Sequence, residues 1–343
     1  MSGIGSSATM EAFPVYIGVC YMQRDKRGEP DMSIKPVRIV FAAIAAIVLT
    51  VPLAACGTSD ASSSDSNSSK KESTSIQPTD ISSVKKDDGI AAMLPKSVTE
   101  DGKLTVGMDT SYAPAEFLAE DGKTAMGFDV DLAKAMGKVF GLKTETLTSN
   151  FDSIIPSVGS KYDLGISSFT ITKERSKAVD FVSYLNNGNA YIVRKGNPTN
   201  VNIKNLCGKT VAVQSGTTQE EDVKKASEQC KADGKDEVNV LSYKRMTDMT
   251  TAVATGKADA SYSGVAGNGY AVRLSDGQLE INGGNIDGAL EGIVIRKGDT
   301  QTAKAVQAAV QKLIDDGTYM KILKNWGSEV GAIKTAEINP EGI

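Results

Sequence analysis

Short apolar strands alternate with amphipathic helices along most of this 343-residue chain, and the alternation starts afresh once. Phe128, Leu132 and Met136 recur at helical spacing, which predicts a helix over Asp129–Phe140. Strand–helix alternation favours parallel α/β sheets, and the fresh start after Lys195–Pro198 predicts a second sheet and therefore two lobes. The predicted strands are Lys103–Met108, Leu142–Leu147, Asp163–Ser167, Ala190–Arg194, Thr210–Val213, Val238–Leu241, Ala258–Ser261 and Gly292–Arg296, and the other predicted helices are Phe151–Val158, Gln219–Gln229, Met246–Thr255 and one with Ala303, Val306, Val310 and Leu313 on one face.

The longest apolar run lies ahead of this folded body. Ile39–Val51 follows Lys35 and Arg38 and precedes Leu53–Cys56, an order that is typical of a secretory signal peptide. The run is shorter than the roughly 20 residues that a membrane-spanning helix needs. Leu-Ala-Ala-Cys resembles the lipobox of bacterial lipoproteins, which implies that Cys56 is lipidated and anchors the protein at the outer face of the cytoplasmic membrane. The alternative is an ordinary signal peptide with an incidental cysteine.

The segments on either side of the signal peptide lack the pattern of a folded domain. Residues 1–31 do not fit a compact positive region, so we expect the true start at Met32 and assign 1–55 to an upstream extension and the signal peptide. Residues 57–87 are rich in Ser, Asp, Asn, Lys and Thr and cannot bury enough apolar surface to fold. We therefore expect 56–94 to form a disordered tether.

The residue types that are missing exclude several kinds of chemistry. The chain has no histidine, which excludes Ser-His-Asp and Cys-His nucleophiles and histidine-based zinc sites. A net charge of −4 gives no basic footprint for nucleic acid, and we expect no metal and no cofactor. With Cys20 upstream of the expected start and Cys56 in the lipobox, Cys207 and Cys230 remain. Disulfides persist outside the cytoplasm, so we predict that these two pair; two buried free thiols are the alternative.

Polar segments follow three of the predicted strands, where ligands sit in open α/β sheets. They are Asp109–Pro114, Ser167–Arg175 and Gln214–Glu220. In the last segment, a Ser-Gly-Thr-Thr turn into a helix offers backbone N–H groups to an anion. The same turn also fits Thr218 as a plain helix N-cap, and Arg175 by itself fits a surface ion pair.

Nine stretches carry a family resemblance, in register over nearly the whole folded body. They are Val106–Pro114, Gly127–Leu132, Phe151–Pro156, Tyr162–Leu164, Thr170–Arg175, Val179–Phe181, Gly208–Thr218, Gly256–Ala260 and Asp316–Tyr319. The chain resembles the polar amino-acid family (family 3) of bacterial ABC-transporter solute-binding proteins. This resemblance implies a type II periplasmic-binding fold, an α/β fold with two lobes joined by two hinge strands. It places lobe 1 at 95–193 plus 292–335, lobe 2 at 194–291 and a C-terminal tail at 336–343.

The resemblance also implies roles in a cleft between the lobes. Tyr112 and Phe151 would be its aromatic walls, although each also fits a core position. Arg175 would grip the ligand's α-carboxylate with two parallel hydrogen bonds, as a planar guanidinium can. The other implied contacts are Ser168 and Thr170 through backbone or hydroxyl groups, and the Thr218 N–H on the same carboxylate.

One position departs from the family pattern. Where the family usually has an acid for the ligand's amino group, five residues after Asp259, this chain has Gly264. Either another acid replaces it or the ligand lacks an ordinary α-ammonium. Our first candidate is Glu291 beside the second hinge strand, and Asp109 is the second. We read Asp129 and Asp131, at the start of the helix, as structural.

The resemblance implies capture of a polar amino acid or similar small carboxylate, closure of the lobes, and delivery to an ABC permease with its ATPase. We expect a monomer that catalyses no reaction. One alternative is a solute sensor or surface lipoprotein that uses the same clamp. A second is a dehydratase-like enzyme on the same fold, with Glu291 as its acid or base.

Overall fold

The computed structural model describes residues 77–341. The upstream extension, the signal peptide, the start at Met32, Cys20, the lipidation site Cys56 and the tether up to residue 76 lie outside the described residues. Within 77–341, no helix combines the length and apolar character that a bilayer crossing requires.

Strands and helices alternate in the described part of the chain, as the sequence predicts. The strands are β1 Lys103–Met108, β2 Ser111–Tyr112, β3 Glu116–Leu118, β4 Ala125–Met126, β5 Lys143–Thr148, β6 Leu164–Thr170, β7 Val179–Arg194, β8 Thr210–Gln214, β9 Asn239–Tyr243, β10 Ala260–Gly264 and β11 Leu279–Arg296. The helices are α1 Asp88–Ala91, α2 Lys96–Thr99, α3 Phe128–Phe140, α4 Phe151–Ile154, α5 Lys173–Ala178, α6 Thr218–Ala232, α7 Met246–Ala254, α8 Val265–Leu274, α9 Thr300–Asp315 and α10 Thr318–Trp326, with 3-10 turns at Ile155–Ser157 and Glu329–Gly331.

Two long antiparallel strands join the two halves of the main sheet. Its order is β5-β1-β6-β11-β7-β10-β8-β9. The pairs β5-β1 and β1-β6 are parallel on one side, and β10-β8 and β8-β9 are parallel on the other. β7 and β11 pair with each other across the middle, antiparallel. This arrangement confirms the predicted α/β fold of two lobes connected by hinge strands.

The buried core also falls into two sets. The first joins α3, α9 and α10 to β1, β6 and the near ends of the hinge strands, with Val106, Met136 and Val306 fully buried. The second lies under β8, β10 and α6–α7, with Val211 and Val253 fully buried. Each lobe thus buries its own apolar face, as a sheet flanked by helices must.

The folded body begins earlier than expected. Residues 77–94, which we assigned to the disordered tether, pack on lobe 1. Val84 and Leu94 are each 7% exposed within its core, and the Thr79 N–H donates to Asp131 at 2.8 Å. Ile81, Ile90 and Met93 pack against the same core, so this segment buries more apolar surface than its composition suggested. The tail also packs, since Ala336 is buried and the Asn339 N–H donates to the Phe181 carbonyl at 2.9 Å.

The predicted pairing of Cys207 and Cys230 is confirmed, with the two sulfur atoms bonded and the Cα atoms 5.5 Å apart. The bond ties the end of α6 to the loop before β8. Gly141 ends α3 in the left-handed region, at φ 72°, as its position predicts.

Candidate functional site

A cavity of about 30 Å³ lies where the two lobes meet, at the ends of β6 and β8. Seven of the eight predicted ligand-binding residues line it, and the eighth, Asp109, reaches it through Gln214. The seven are Tyr112, Phe151, Ser168, Thr170, Arg175, Thr218 and Glu291. The structure therefore brings the sequence-predicted site together.

Arg175 spans the cleft from α5. The helix begins at its N-cap Thr172, whose hydroxyl accepts the Arg175 backbone N–H at 3.1 Å. Its Nη1 donates to the Thr170 carbonyl at 2.8 Å, and its Nη2 donates to the Gly216 carbonyl of lobe 2 at 3.0 Å. Burial lowers the pKa of Arg175 to about 10, so the side chain stays charged at neutral pH. A guanidinium has five N–H donors, so both carbonyl contacts leave donors for a ligand carboxylate.

Aromatic rings form one wall of the cavity. Phe151 and Phe169 stack with ring centroids 4.5 Å apart. The Arg175 Cζ lies 5.6 Å from the centroid of Phe151 and 5.8 Å from that of Phe169, within cation–π range. Phe151 also belongs to the core of lobe 1, so the core position we considered for it is present as well as a place in the cavity lining. On the other wall, the Tyr112 hydroxyl hydrogen-bonds Ser263 of lobe 2.

Ser168 has an unusual backbone conformation that a buried acid holds in place. Its φ is 48°, in the left-handed region that few residues other than glycine adopt. The Ser168 N–H donates to the Asp129 carboxylate at 3.1 Å, and the Tyr184 hydroxyl donates to the same oxygen at 2.9 Å. Asp129 is fully buried and does not line the cavity. It therefore shapes the site from behind, which agrees with our structural interpretation of this residue.

A second carboxyl group lies beside Asp129. Glu116 of β3 is fully buried and accepts a hydrogen bond from the Ser167 hydroxyl. Burial, and then the nearby Asp129, raise the pKa of Glu116 well above its usual range. Burial also raises the pKa of Asp129, to about 6. Two carboxyl groups this close favour sharing a proton rather than carrying two charges. Sequence analysis did not find this pair, because β3 was not predicted.

The N-terminus of α6 faces the cavity from lobe 2. Its N-cap is Thr217, not Thr218, because the Thr217 hydroxyl accepts the Glu220 N–H at 3.1 Å. Thr218 is the first helical residue, where backbone N–H groups have no acceptor within the helix. The plain N-cap alternative for Thr218 is therefore wrong, and its N–H remains a candidate donor to an anion.

Asp109 connects the two lobes at the edge of the cavity. One carboxylate oxygen accepts from the Ser111 N–H at 3.1 Å and the Ser111 hydroxyl at 2.8 Å. The other accepts from the side-chain amide of Gln214 in lobe 2. Asp109 is 4% exposed, and this burial raises its pKa.

Glu291 lies on β11 in register with Thr170 of β6 and is 5% exposed. Its Oε1 accepts from the Asn187 side chain at 3.0 Å. Its Oε2 has no hydrogen-bond partner among residues 77–341. Burial raises the pKa of Glu291 to about 8. Glu291 is the one acid among the described residues that line the cavity, and this oxygen of its carboxyl group is buried without a partner.

Sequence reasoning missed several further lining residues and their supports. Asn189 of β7 accepts a hydrogen bond from the Gln219 side chain at 2.6 Å, and Asn187 lies two residues earlier on the same face of that strand. The extension of β7 toward the cleft was not predicted, so neither asparagine stood out. The missed lining residues are Ser167, Gln214, Thr217 and Gln219, which lie inside segments already noted as polar, and Ser263, which lies outside them.

A larger cavity of about 430 Å³ lies between α7 and α8, away from the predicted site. Its lining is mostly apolar and hydroxyl side chains, and among the described residues it has no lysine or arginine to hold a carboxylate. The smaller cleft cavity is therefore the candidate site. Among residues 77–341, no group of three or more acids or cysteines has the geometry to hold a metal ion.

The family of this chain follows from its match to the model of the bacterial extracellular solute-binding proteins, family 3, over residues 104–329. The chain belongs to this family. Arginine-binding protein ArgT of Corynebacterium glutamicum is 34% identical over 256 residues, which are 74% of this chain and 84% of that protein. The lysine/arginine/ornithine-binding periplasmic protein of Escherichia coli K12 is 31% identical over 244 residues, or 68% and 89% of the two chains.

Solved structures of family-3-like proteins have the same fold. A mutant of the arginine-binding protein of T. maritima has a TM-score of 0.62 at 33% identity, covering 68% of this chain and 99% of that one. An ancestral arginine-binding protein bound to arginine has a TM-score of 0.61 at 36% identity, covering 66% of this chain and 98% of that one. An ancestral amino acid-binding protein, a precursor of cyclohexadienyl dehydratase, has a TM-score of 0.60 at 30% identity, covering 67% of this chain and 98% of that one. The predicted family and fold are confirmed.

Proposed function

We propose that this protein captures an α-amino acid with a cationic side chain between its lobes and delivers it to an ABC permease and its ATPase. The observation that carries the proposal is that Arg175 of lobe 1 and the N-terminus of α6 in lobe 2 line one cavity. A carboxylate there would bond to both lobes, so its binding energy would favour closure. The proposed ligand-binding residues are Asp109, Tyr112, Phe151, Ser168, Thr170, Arg175, Thr218 and Glu291.

The charges near the cavity support a cationic side chain. Asp109, Glu116, Asp129 and Glu291 are all at most 5% exposed, whereas Arg175 is the one cation among the described residues that line the cavity. Buried negative charge without a partner is unfavourable. A ligand that brings a second positive charge beyond its α-ammonium therefore gains more than a neutral one. Relatives named for arginine, and for lysine, arginine and ornithine, agree with this assignment.

Binding of such a ligand would need the lobes to open. A cavity of about 30 Å³ has room for only one or two water molecules. The cleft is held together by the Met246 N–H donating to the Ser111 hydroxyl at 3.2 Å and by an ion pair of Lys244 with Asp152. These contacts cross between the lobes, while β7 and β11 run through continuously. Hinge closure about these two strands accounts for entry and enclosure of the ligand.

A calorimetric screen of the twenty amino acids, ornithine, cystine and simple carboxylates tests the ligand class. We expect arginine, lysine or ornithine to bind with a micromolar or lower Kd, which is about −8 kcal/mol or better. Small-angle scattering on the same samples should show compaction with the ligand that binds. Absence of binding by every amino acid would refute the proposal, as would a ligand that raises the Tm without compaction.

The family is extracellular, and we further propose that a lipid on Cys56 holds the protein at the outer membrane face as a monomer. The lipobox resemblance and the polar segment after Cys56 support this. Globomycin treatment or a Cys56→Ala change should prevent lipid labelling of the full precursor and release the protein from the membrane. An unchanged membrane fraction would exclude the anchor.

Two alternatives have separate tests. If the protein is a sensor, it binds the ligand but its deletion leaves uptake of that ligand intact. If it is an importer component, its deletion abolishes uptake. The structural likeness to a dehydratase precursor makes turnover worth measuring. Relatives named as binding proteins favour a non-enzyme, and dehydration of a prephenate-like compound would overturn that reading.

A further inference from the structure

Gly264 leaves a space in the site that two neighbouring side chains fill. A Cβ atom placed on Gly264 would lie 2.2 Å from the Tyr112 hydroxyl and 2.9 Å from the Asn187 side-chain nitrogen. Both distances are below what a real Cβ tolerates. Any side chain at position 264 would therefore displace one or both groups. In this arrangement, position 264 therefore has no room for the carboxylate that the family usually carries there.

The Asn187 amide that occupies this space also fixes Glu291. Asn187 lies opposite Ala289 in the β7–β11 ladder, two residues from Glu291, and its Nδ2 donates to Glu291 Oε1 at 3.0 Å. Glu291 is 5% exposed, and its Oε2 has no hydrogen-bond partner among residues 77–341. Buried polar atoms normally have a hydrogen-bond partner, so this carboxylate oxygen at the cavity wall is placed to accept a hydrogen bond from a ligand.

The groups around Glu291 leave its free oxygen to the ligand. Arg175 of α5 is the nearby cation that affects its titration, but its guanidinium donates to backbone carbonyls on both sides of the cleft. Asp129 of α3 is an acid and cannot donate to it while ionised. The Tyr184 hydroxyl donates to Asp129 at 2.9 Å, and the Tyr112 hydroxyl hydrogen-bonds Ser263. The Ser168 hydroxyl also lowers the pKa of Glu291, but it lies 3.5 Å from Asp129, to which it can donate instead.

We propose that Glu291 binds the α-ammonium of the ligand, that Asn187 is its positioning residue, and that glycine at 264 is required to leave room for both Asn187 and the Tyr112 hydroxyl. This rests on the proposed function, an amino acid in this cleft. Glu291 and Asn187 both lie on the hinge strands. The ammonium is therefore held at the hinge, while Arg175 and α6 hold the carboxylate across the opening.

The test pairs a change in the protein with a change in the ligand. The probes are L-arginine and 5-guanidinopentanoic acid, which is arginine without its α-amino group. For Glu291→Gln we expect the Kd for arginine to rise about 30-fold, as for loss of a charged hydrogen bond, and the Kd for the analogue to change less than about threefold. Glu280→Gln is the matched control, because Glu280 lies on the same strand and pairs with Lys195 at the surface.

Asn187→Ala should weaken arginine binding about three- to tenfold and spare the analogue, with the larger loss at lower pH because an unsupported Glu291 holds its proton more strongly. Gly264→Ala should weaken arginine binding at least as much as Asn187→Ala does. A melting curve of each unliganded variant checks folding. Equal weakening of both ligands would show structural damage and overturn the proposal, as would equal affinity of the wild-type protein for both. If wild type bound no amino acid at all, the proposed function itself would fail.

Discussion

Replacement of Arg175 by methionine tests the clamp most directly. The guanidinium donates to the Thr170 and Gly216 carbonyls and keeps further N–H donors for a carboxylate. Two hydrogen bonds to a charged partner at about 1.5–3 kcal/mol each amount to about 3–6 kcal/mol. At about 1.4 kcal/mol per tenfold, the Kd for arginine should rise about 100- to 10,000-fold. Isothermal titration calorimetry with the tightest-binding amino acid measures it.

Arg175→Lys separates the shape of the group from its charge. A lysine keeps the positive charge but not the two parallel donors, so we expect an intermediate loss of affinity. Arg273→Met is the matched control: Arg273 is exposed on α8, with its Cζ 4.9 Å from the Tyr270 ring, and its loss changes the net charge equally. If Arg175→Met folds and its Kd rises less than about tenfold, the carboxylate is not held here and the reasoning fails.

Three further predictions concern stability, pH and closure. Removing the disulfide by Cys207→Ala/Cys230→Ala should lower the free energy of unfolding by about 3 kcal/mol in a urea titration, and a change below about 1 kcal/mol would contradict its stabilising role. Burial raises the pKa of Glu291 to about 8, and only the ionised carboxylate pairs with an ammonium. Amino-acid affinity should therefore rise from pH 6 to pH 8, with release of a proton on binding. Calorimetry in buffers of different ionisation enthalpy measures this release, and Glu291→Gln should abolish it. Lys244→Ala removes a partly exposed ion pair with Asp152 and should weaken binding less than about fivefold; a larger effect would make that pair a main source of closure energy.

Local pattern predicted most of the strands and helices but only the last five residues of each hinge strand. α3 was predictable because Phe128, Met136 and Val139 repeat at helical spacing and Gly141 ends the helix. β11 was predicted only over its last five residues, because its first part carries glycines and polar residues that local propensity does not favour in a strand. Pairing with β7 over most of its length holds it extended. Such long-range pairing is not visible in a local window.

The site was predictable where polar residues follow a strand and not where buried groups support them. The segments holding Ser168, Arg175 and Thr218 stand at strand ends, so the family pattern could be placed on them. Glu116 and Asn187 lie on strands whose extent depends on tertiary pairing, and their roles appear only from the atoms they touch. The expected tether at 77–94 failed for the same reason, since its few apolar residues fit one particular surface.

The buried acids of the cleft explain why ligand and proton should compete. Glu116 and Asp129 share one proton, which leaves the pair with one negative charge rather than two in the absence of the ligand. Glu291 instead holds a proton at neutral pH in the free protein, because burial and then the nearby Asp129 raise its pKa to about 8. An arriving ammonium offers that carboxylate a fixed positive charge in place of the proton. Binding of the amino group at the hinge is therefore an exchange of a proton on Glu291 for the ligand's ammonium. This exchange predicts that amino-acid affinity falls as the pH falls below the pKa of Glu291.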